Sequence, residues 1–298
     1  MEPVKLTILG SGSIIPTPDR NHTSLWIRSG KNVFLWDCGE GTQKQLQIAG
    51  LSYMKIDKIF ITHWHTDHFA GLPGLLETLS LSGRKSKLQI IGPETDRYMP
   101  LILNLTGNKF NYEIETINTE YQKEKEKIII NENNYTISSV PALHSIPAAA
   151  YCFQQKESWN IDLEKAASYG LSPGPILKEI KEKGTIYYNN KKIKLNQIAN
   201  YNSGKKIVYS GDTRPSPLIE KMAHKADILI HDSTFLDNGS EKHSTVKEAA
   251  ELARRAEVKK LILIHYSRRY KNLQALKDKA EKYFSKVILA RDFMNIKV

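Results

Sequence analysis

Ile56-Asp-Lys-Ile-Phe-Ile-Thr62 followed by His63-Trp-His65-Thr-Asp67-His68 is the stretch on which the reading turns. Ile56 to Thr62 has the apolar, β-branched character of a short buried strand. The next six residues hold four strong metal donors, a density that is rare by chance. Imidazole and carboxylate together suit Zn²⁺, and also Mn²⁺ or Fe. On a loop that follows a strand, alternate residues face one cavity and the next pair faces a neighbouring point. That favours two metals over one.

The rest of the chain supplies a layered scaffold. Lys5 to Gly10 alternates like a strand. Leu25–Arg28 and Asn32–Trp36 read as a hairpin around Ser29-Gly30. Thr42–Ala49 reads as a helix stopped by Gly50. Leu75–Leu81 predicts a helix and Leu88–Ile91 a strand. Lys127–Val140 predicts paired strands around Asn133-Asn134. Lys206–Tyr209, Ile228–His231 and Leu261–His265 are short apolar strands, with helices over Val246–Glu257 and Asn272–Lys279. Strands alternating with helices in both halves imply an α/β fold.

Three of these strand ends carry further donors: His144, Asp212 and His265. A lone strand-end histidine is more often a satisfied structural residue. Joined to the first cluster, the three complete a two-metal set.

The 298 residues are 40% hydrophobic and 25% charged, which excludes a disordered or fibrous chain. Cys38 and Cys152 are the two cysteines, too few for a disulfide framework, and they fit a reducing compartment. No apolar run reaches the ~18 residues of a membrane span. Met1–Leu6 lacks a signal-peptide pattern, so a soluble protein of the cytoplasm, or of an organelle stroma, is expected. The net charge of +11 favours a polyanion partner, although lysine-rich composition alone could produce it. The segment from Lys156 to Lys206 stands apart. It has little apolar periodicity, contains Ser172-Pro-Gly-Pro175, and carries ten lysines against five acids. A stretch this long without core character is more often functional than plain linker.

Several longer motifs point to a family: Arg20-Asn-His-Thr-Ser24, Asp37-Cys-Gly-Glu-Gly-Thr-Gln43, Gly71-Leu-Pro-Gly-Leu-Leu76, His144-Ser-Ile-Pro-Ala148, Gly211-Asp-Thr-Arg-Pro215, His231-Asp-Ser-Thr-Phe235, His243-Ser-Thr245 and His265-Tyr-Ser267. With them the chain resembles the metallo-β-lactamase superfamily and, within it, the ribonuclease Z family of tRNA 3′-processing endonucleases. The resemblance implies one αββα sandwich over residues 1–298 with its site at the sandwich edge. It also implies two Zn²⁺ per subunit: His63, His65 and His144 on one, Asp67, His68 and His265 on the other, and Asp212 bridging. Residues 156–206 would be an inserted basic arm in a homodimer. Lys178, Lys181, Lys183, Lys191, Lys192 and Lys194 on it would contact phosphates of precursor tRNA.

The chemistry expected is hydrolysis of a phosphodiester, leaving a tRNA 3′-hydroxyl and a 5′-phosphorylated trailer. Asp67 is placed to orient the attacking water and accept its proton. His243 is the candidate general acid, with Asp232 orienting it. Where the family has His-Glu-Ala-Thr-Phe this chain has Asp232, one methylene shorter in reach. Two other readings are a superfamily hydrolase of a small ester or phosphodiester, and a metal-bound RNA scaffold without turnover. Neither accounts for both the ligand set and the basic arm.

Overall fold

The computed structural model describes residues 3–107, 110–123 and 125–298. Two seven-stranded sheets form its centre. The first contains β1 (Lys5–Gly10), β2 (Ser24–Ser29), β3 (Asn32–Trp36), β4 (Lys58–Phe60), β5 (Leu88–Gly92), β6 (Ile114–Asn118) and β18 (Asn295–Lys297), ordered β18-β1-β2-β3-β4-β5-β6. The second contains β7 (Lys127–Asn131), β8 (Tyr135–Pro141), β9 (Ala149–Gln155), β14 (Lys206–Tyr209), β15 (Ile228–Asp232), β16 (Leu261–Ile264) and β17 (Val287–Leu289), ordered β17-β16-β15-β14-β9-β8-β7. Antiparallel pairing on one side of each sheet gives way to parallel pairing on the other, β3 to β6 in the first and β14 to β17 in the second.

Strand alternation divides the side chains between two cores. Leu25, Ile27, Phe34, Trp36 and Phe60 face the second sheet and pack with Ile137, Tyr151, Phe153 and Tyr209. Trp26, Val33, Leu35, Ile59 and Ile61 point the other way. They meet α1 (Thr42–Ile48), α3 (Leu72–Leu81) and α4 (Thr95–Leu105) through Leu46, Leu72, Leu75, Leu76, Leu79 and Met99. α8 (Pro217–Ala223), α9 (Val246–Arg255) and α10 (Gln274–Glu281) cover the far face of the second sheet. The result is the four-layered αββα sandwich that the family resemblance implied.

Boundaries shift in places. β4 is three residues long, because Thr62 onward turns out of the ladder to present the candidate metal donors. α3 starts at Leu72 rather than Leu75, with a proline in its first turn, where its missing N–H costs nothing. α4 is unannounced in the sequence, since Pro100 lies inside it.

The 156–206 segment departs most from its reading. It holds β10 (Ser158–Ile161), α5 (Leu163–Ser168), α6 (Pro175–Lys183), β11 (Thr185–Tyr188), β12 (Lys191–Lys194), α7 (Leu195–Ile198) and β13 (Ala199–Asn202). β10 pairs with β13 and β11 with β12, apart from the main sheets. A small separate core fills it, with Ala166, Leu171, Ile180, Ile186, Ile193 and Ile198 buried together. No long periodic run announces this core, because each short element contributes only one to three apolar residues.

Candidate metal centre and active-site cleft

The donors converge because the strands that carry them end on one edge. His63 follows β4, Asp212 follows β14, Asp232 ends β15 and His265 follows β16. In open α/β sheets the carboxyl ends of parallel strands are where ligands gather. α2 (Thr66–Phe69) then turns Asp67 and His68 back towards the same point.

Two clusters result. His63, His65 and His144 offer one nitrogen each, with His63 Nε2 3.0 Å and His144 Nε2 3.1 Å from His65 Nδ1. Asp67, His68, Asp212 and His265 form the second. His265 Nε2 lies 3.3 Å from Asp67 Oδ2 and 3.2 Å from Asp212 Oδ2, and His68 Nε2 lies 3.4 Å from Asp212 Oδ1. Asp212 Oδ2 is also 3.8 Å from His63 Nε2, so this one carboxylate borders both clusters.

The donor set fits cations. Buried His68 Nε2 and Asp212 Oδ1 have no hydrogen-bond partner, and such groups are rarely left orphaned. Burial holds His63, His65 and His144 in the neutral, ligating form by lowering their pKa values. Burial opposes ionisation of Asp67 and Asp212, but the surrounding histidines prevail and keep both well below the usual carboxylate range.

Partners behind the donors fix the His68, His144 and His265 rings. Asp37 Oδ2 meets His68 Nδ1 at 2.8 Å and accepts the Tyr209 hydroxyl at 2.8 Å, while Thr62 donates its backbone N–H to Asp37 Oδ1. Tyr209 stacks on Trp36, joining this network to the inter-sheet core. The Lys242 carbonyl lies 2.9 Å from His144 Nδ1, and Thr234 Oγ1 lies 2.8 Å from His265 Nδ1. Such partners orient the ring and select the tautomer that aims the other nitrogen at a metal. The Asp37-Cys-Gly motif also has a steric task. The Cys38 N–H bonds the His68 carbonyl, and a Cβ on Gly39 would lie 2.3 Å from the Asp67 carbonyl oxygen. Glycine is required there for the loop to clamp α2. Asp37 and Thr234 carried no role in the sequence reading. Their signal was present only as motif positions with no assigned donor or acceptor.

His243 sits beside the clusters. Its Nδ1 is 2.9 Å from Asp232 Oδ2, so the shorter aspartate still reaches it. The loop is anchored from both ends: Ser244 Oγ donates to the Thr213 carbonyl, and Thr245 caps α9 in a reciprocal box with Glu248. Burial disfavours a charge on His243, but the Asp232 hydrogen bond and charge, with Asp212 behind them, outweigh it and push its pKa up to about 9. Asp232 is fully buried and its oxygens also accept from the Thr213 N–H and from the Thr234 N–H and hydroxyl.

Other residues have quieter places. His231 is buried with Nδ1 on the Asp232 carbonyl, and His22 Nε2 meets the Ile14 carbonyl. Burial drives the Cys38 thiol up, which disfavours a nucleophilic thiolate. The clusters open into a cleft of ≈ 890 Å³ lined by His65, Asp67, His144, Asp212, His243 and His265. Lys242, Arg268, Arg269 and Lys271 stand on its wall. The six arm lysines are all exposed. Lys178 and Lys183 face Glu182 and Glu179 at 3.9 and 2.8 Å.

Residues 197–266 match the β-lactamase superfamily domain, and residues 4–153 match a family model described as anti-Pycsar protein Apyc1. The second of these stops before the arm. Over 99% of its length the chain is 37% identical to the ribonuclease Z of Methanothermobacter thermautotrophicus, covering 97% of that protein, arm included.

The chain belongs to the ribonuclease Z family.

The ribonuclease Z of Pyrococcus abyssi is also 37% identical, over 99% of this chain and 96% of that protein. Among solved structures, the short form of human tRNase Z superposes with a TM-score of 0.70 at 27% identity, covering 99% of both chains. The family membership matches the resemblance carried by the sequence motifs, and the fold matches that of a solved tRNase Z.

Proposed function

We propose that this member of the ribonuclease Z family is the endoribonuclease that removes 3′ trailers from precursor tRNA. The observation that carries the reading is the convergence of seven donors and the His243–Asp232 pair on one cleft with basic walls, His63, His68 and Asp232 lying buried behind its lining. Five imidazoles and two carboxylates favour two Zn²⁺ per subunit, with Mn²⁺ also accommodated. His63, His65 and His144 would hold one ion, Asp67, His68 and His265 the other, and Asp212 would join them. The chemistry such cations would supply there is Lewis acidity, which lowers the pKa of water so that it can be deprotonated near neutral pH.

The chain's own residues supply the rest. Asp67 lines the cleft with its carboxylate ionised, so it can orient the incoming water and take its proton. His243 has Nδ1 committed to Asp232 and is protonated at neutral pH. It can therefore give a proton to the departing ribose 3′-oxygen. His243 also falls with Asp212, Asp232 and His265 in a group that could hold an ion. The hydrogen bonds that already occupy both Asp232 oxygens favour the acid role.

The arm would grip tRNA by its phosphates, reading shape rather than sequence. We read the protein as a homodimer in which one subunit's arm serves the other's cleft. Its place is the cytoplasm, or an organelle stroma, where precursor tRNA is found. Among the described residues no helix is long and apolar enough to cross a membrane. Hydrolysis of a small ester or phosphodiester shares the donors but leaves the arm without a task.

The test uses a precursor tRNA with a labelled 3′ trailer, cut by wild type and by His65→Ala. The expected result is one cut after the discriminator base, leaving a 3′-hydroxyl, abolished in the variant. Metal-loaded wild type that hydrolyses a small phosphodiester but leaves the precursor intact would overturn the reading.

A further inference from the structure

Asp292 lies beyond every candidate donor in the chain and near the C-terminal strand β18, yet its carboxylate takes part in four hydrogen bonds, as many as Asp232 does beside the metal clusters. Oδ1 accepts the Ser11 N–H at 2.9 Å and the Ser11 hydroxyl at 2.8 Å. Oδ2 accepts the Asn21 N–H at 2.7 Å and the Gln45 side-chain amide at 3.0 Å. No lysine or arginine is in ion-pair contact with it among the described residues. Burial pushes its pKa up, opposed by these donors and by Arg20 further off. Four neutral donors on one carboxylate make a rigid knot rather than an exchangeable surface pair.

The knot connects to the second metal cluster through Ser11. Ser11 is fully buried, and its carbonyl accepts the backbone N–H of His265 at 3.0 Å and of Tyr266 at 3.2 Å. Ser13 N–H returns to the Tyr266 carbonyl at 3.2 Å. His265 needs this support, because its φ is +67°, a left-handed conformation that a non-glycine residue adopts only when its surroundings impose it. That conformation aims Nε2 at Asp67 and Asp212. The Gly10–Ser13 turn is thus a spacer: Asp292 fixes Ser11, and Ser11 fixes the His265 backbone.

We propose that Asp292 is a positioning residue for the Asp67–His68–Asp212–His265 half of the metal centre, acting through Ser11 on the strained His265 backbone. The inference rests on the reading that these four residues hold a cation. Asp292→Asn keeps the size but turns one oxygen into a donor, which faces two donors it cannot satisfy. Removing a supporting hydrogen bond behind a ligand typically weakens metal affinity by ~10–100-fold. The His63–His65–His144 half has no hydrogen bond to Ser11 or Asp292 among the described residues.

The experiment titrates the apo full-length protein with Zn²⁺, and reads backbone amide exchange of the apo protein in parallel. In Asp292→Asn one of two binding steps should weaken about tenfold and the other stay unchanged. The His265 and Tyr266 amides should exchange faster while the amides of β4 do not. Ser11→Ala, which removes one of the four bonds and keeps the carbonyl, should do the same to a smaller degree. Two wild-type binding steps with unchanged His265 exchange in folded Asp292→Asn would overturn the proposal and leave the metal reading intact. Equal weakening of both steps would make Asp292 merely structural and also overturn it. A wild type that binds no second ion would refute the metal reading, and the exchange of His265 would still decide the mechanical link. Should Asp292→Asn not fold, Ser11→Ala carries both measurements.

Discussion

The cleft and the arm solve opposite problems. In the cleft, ionisable groups are buried: Asp67, Asp212, Asp232, His63, His68 and His265 are nearly or fully out of solvent. Burying charge is costly unless it is paired; Asp37 meets His68, Thr234 meets His265 and His243 meets Asp232, while His68 Nε2 and Asp212 Oδ1 stay open towards the site. In the arm, Lys178, Lys181, Lys183, Lys191, Lys192 and Lys194 remain in water over a core of nine small and aliphatic residues. Catalytic geometry therefore depends on the whole sandwich, while the proposed grip of the arm on a polyanion would need only a surface held at the right place. The two should fail separately when mutated.

The largest separate failure is expected in the cleft. His243→Ala should keep its metal content and lose ~10²–10⁴-fold in single-turnover cleavage. Loss of metal would instead make His243 a ligand. The same residue sets a pH limit. An acid must be protonated, so the rate should fall as pH rises through about 9. Asp232→Asn should pull that limb towards the ordinary histidine value of ~6.5. Because the folded value is the higher one, the stability that His243 contributes is complete below ~6.5 and is lost as pH climbs through about 9.

Removing the arm should leave the cleft working. Ser158 pairs with Asn202, so the ends of the excised 158–203 segment are neighbours and a short linker closes the gap. Cleavage of precursor tRNA should drop ~10²-fold or more in kcat/KM, while hydrolysis of a small phosphodiester stays within twofold or so of wild type. Equal loss of both activities would erase the distinction between the two regions.

The smallest effect sharpens which lysines matter. On the β11–β12 hairpin, Ile186 and Ile193 face the arm core. Tyr187 and Lys192 are opposed on the outer face, with Lys194 two residues along. Lys192→Ala and Lys194→Ala should each weaken tRNA binding a few-fold and reduce the salt slope by about one. Lys183→Ala should do less, since Glu179 already holds it at 2.8 Å.

The arm was the part least legible from sequence. Its boundaries and charge stood out, but its core did not. Ala166, Ile180 and Ile198 belong to three short helices, none with enough turns to display a 3.6-residue period. The sandwich was legible because its strands are concentrated apolar runs, such as Val33 to Trp36, whose residues alternate between the two cores.

What the sequence alone carried was the candidate donor set, the α/β alternation and the motifs of the family, whose resemblance implied the αββα layering. Local patterns carry these: four donors in six residues, strands alternating with helices, and short motifs shared with the family. What only the tertiary structure decided was which groups stand behind the donors. Asp37 reaches His68 across 31 residues, Tyr209 reaches Asp37 across 172, and Asp292 reaches Ser11 across 281. Hydrogen bonds are short-ranged in space and indifferent to separation along the chain. Such partners leave no periodic or local trace, and they become visible only when the fold brings strand ends to one edge.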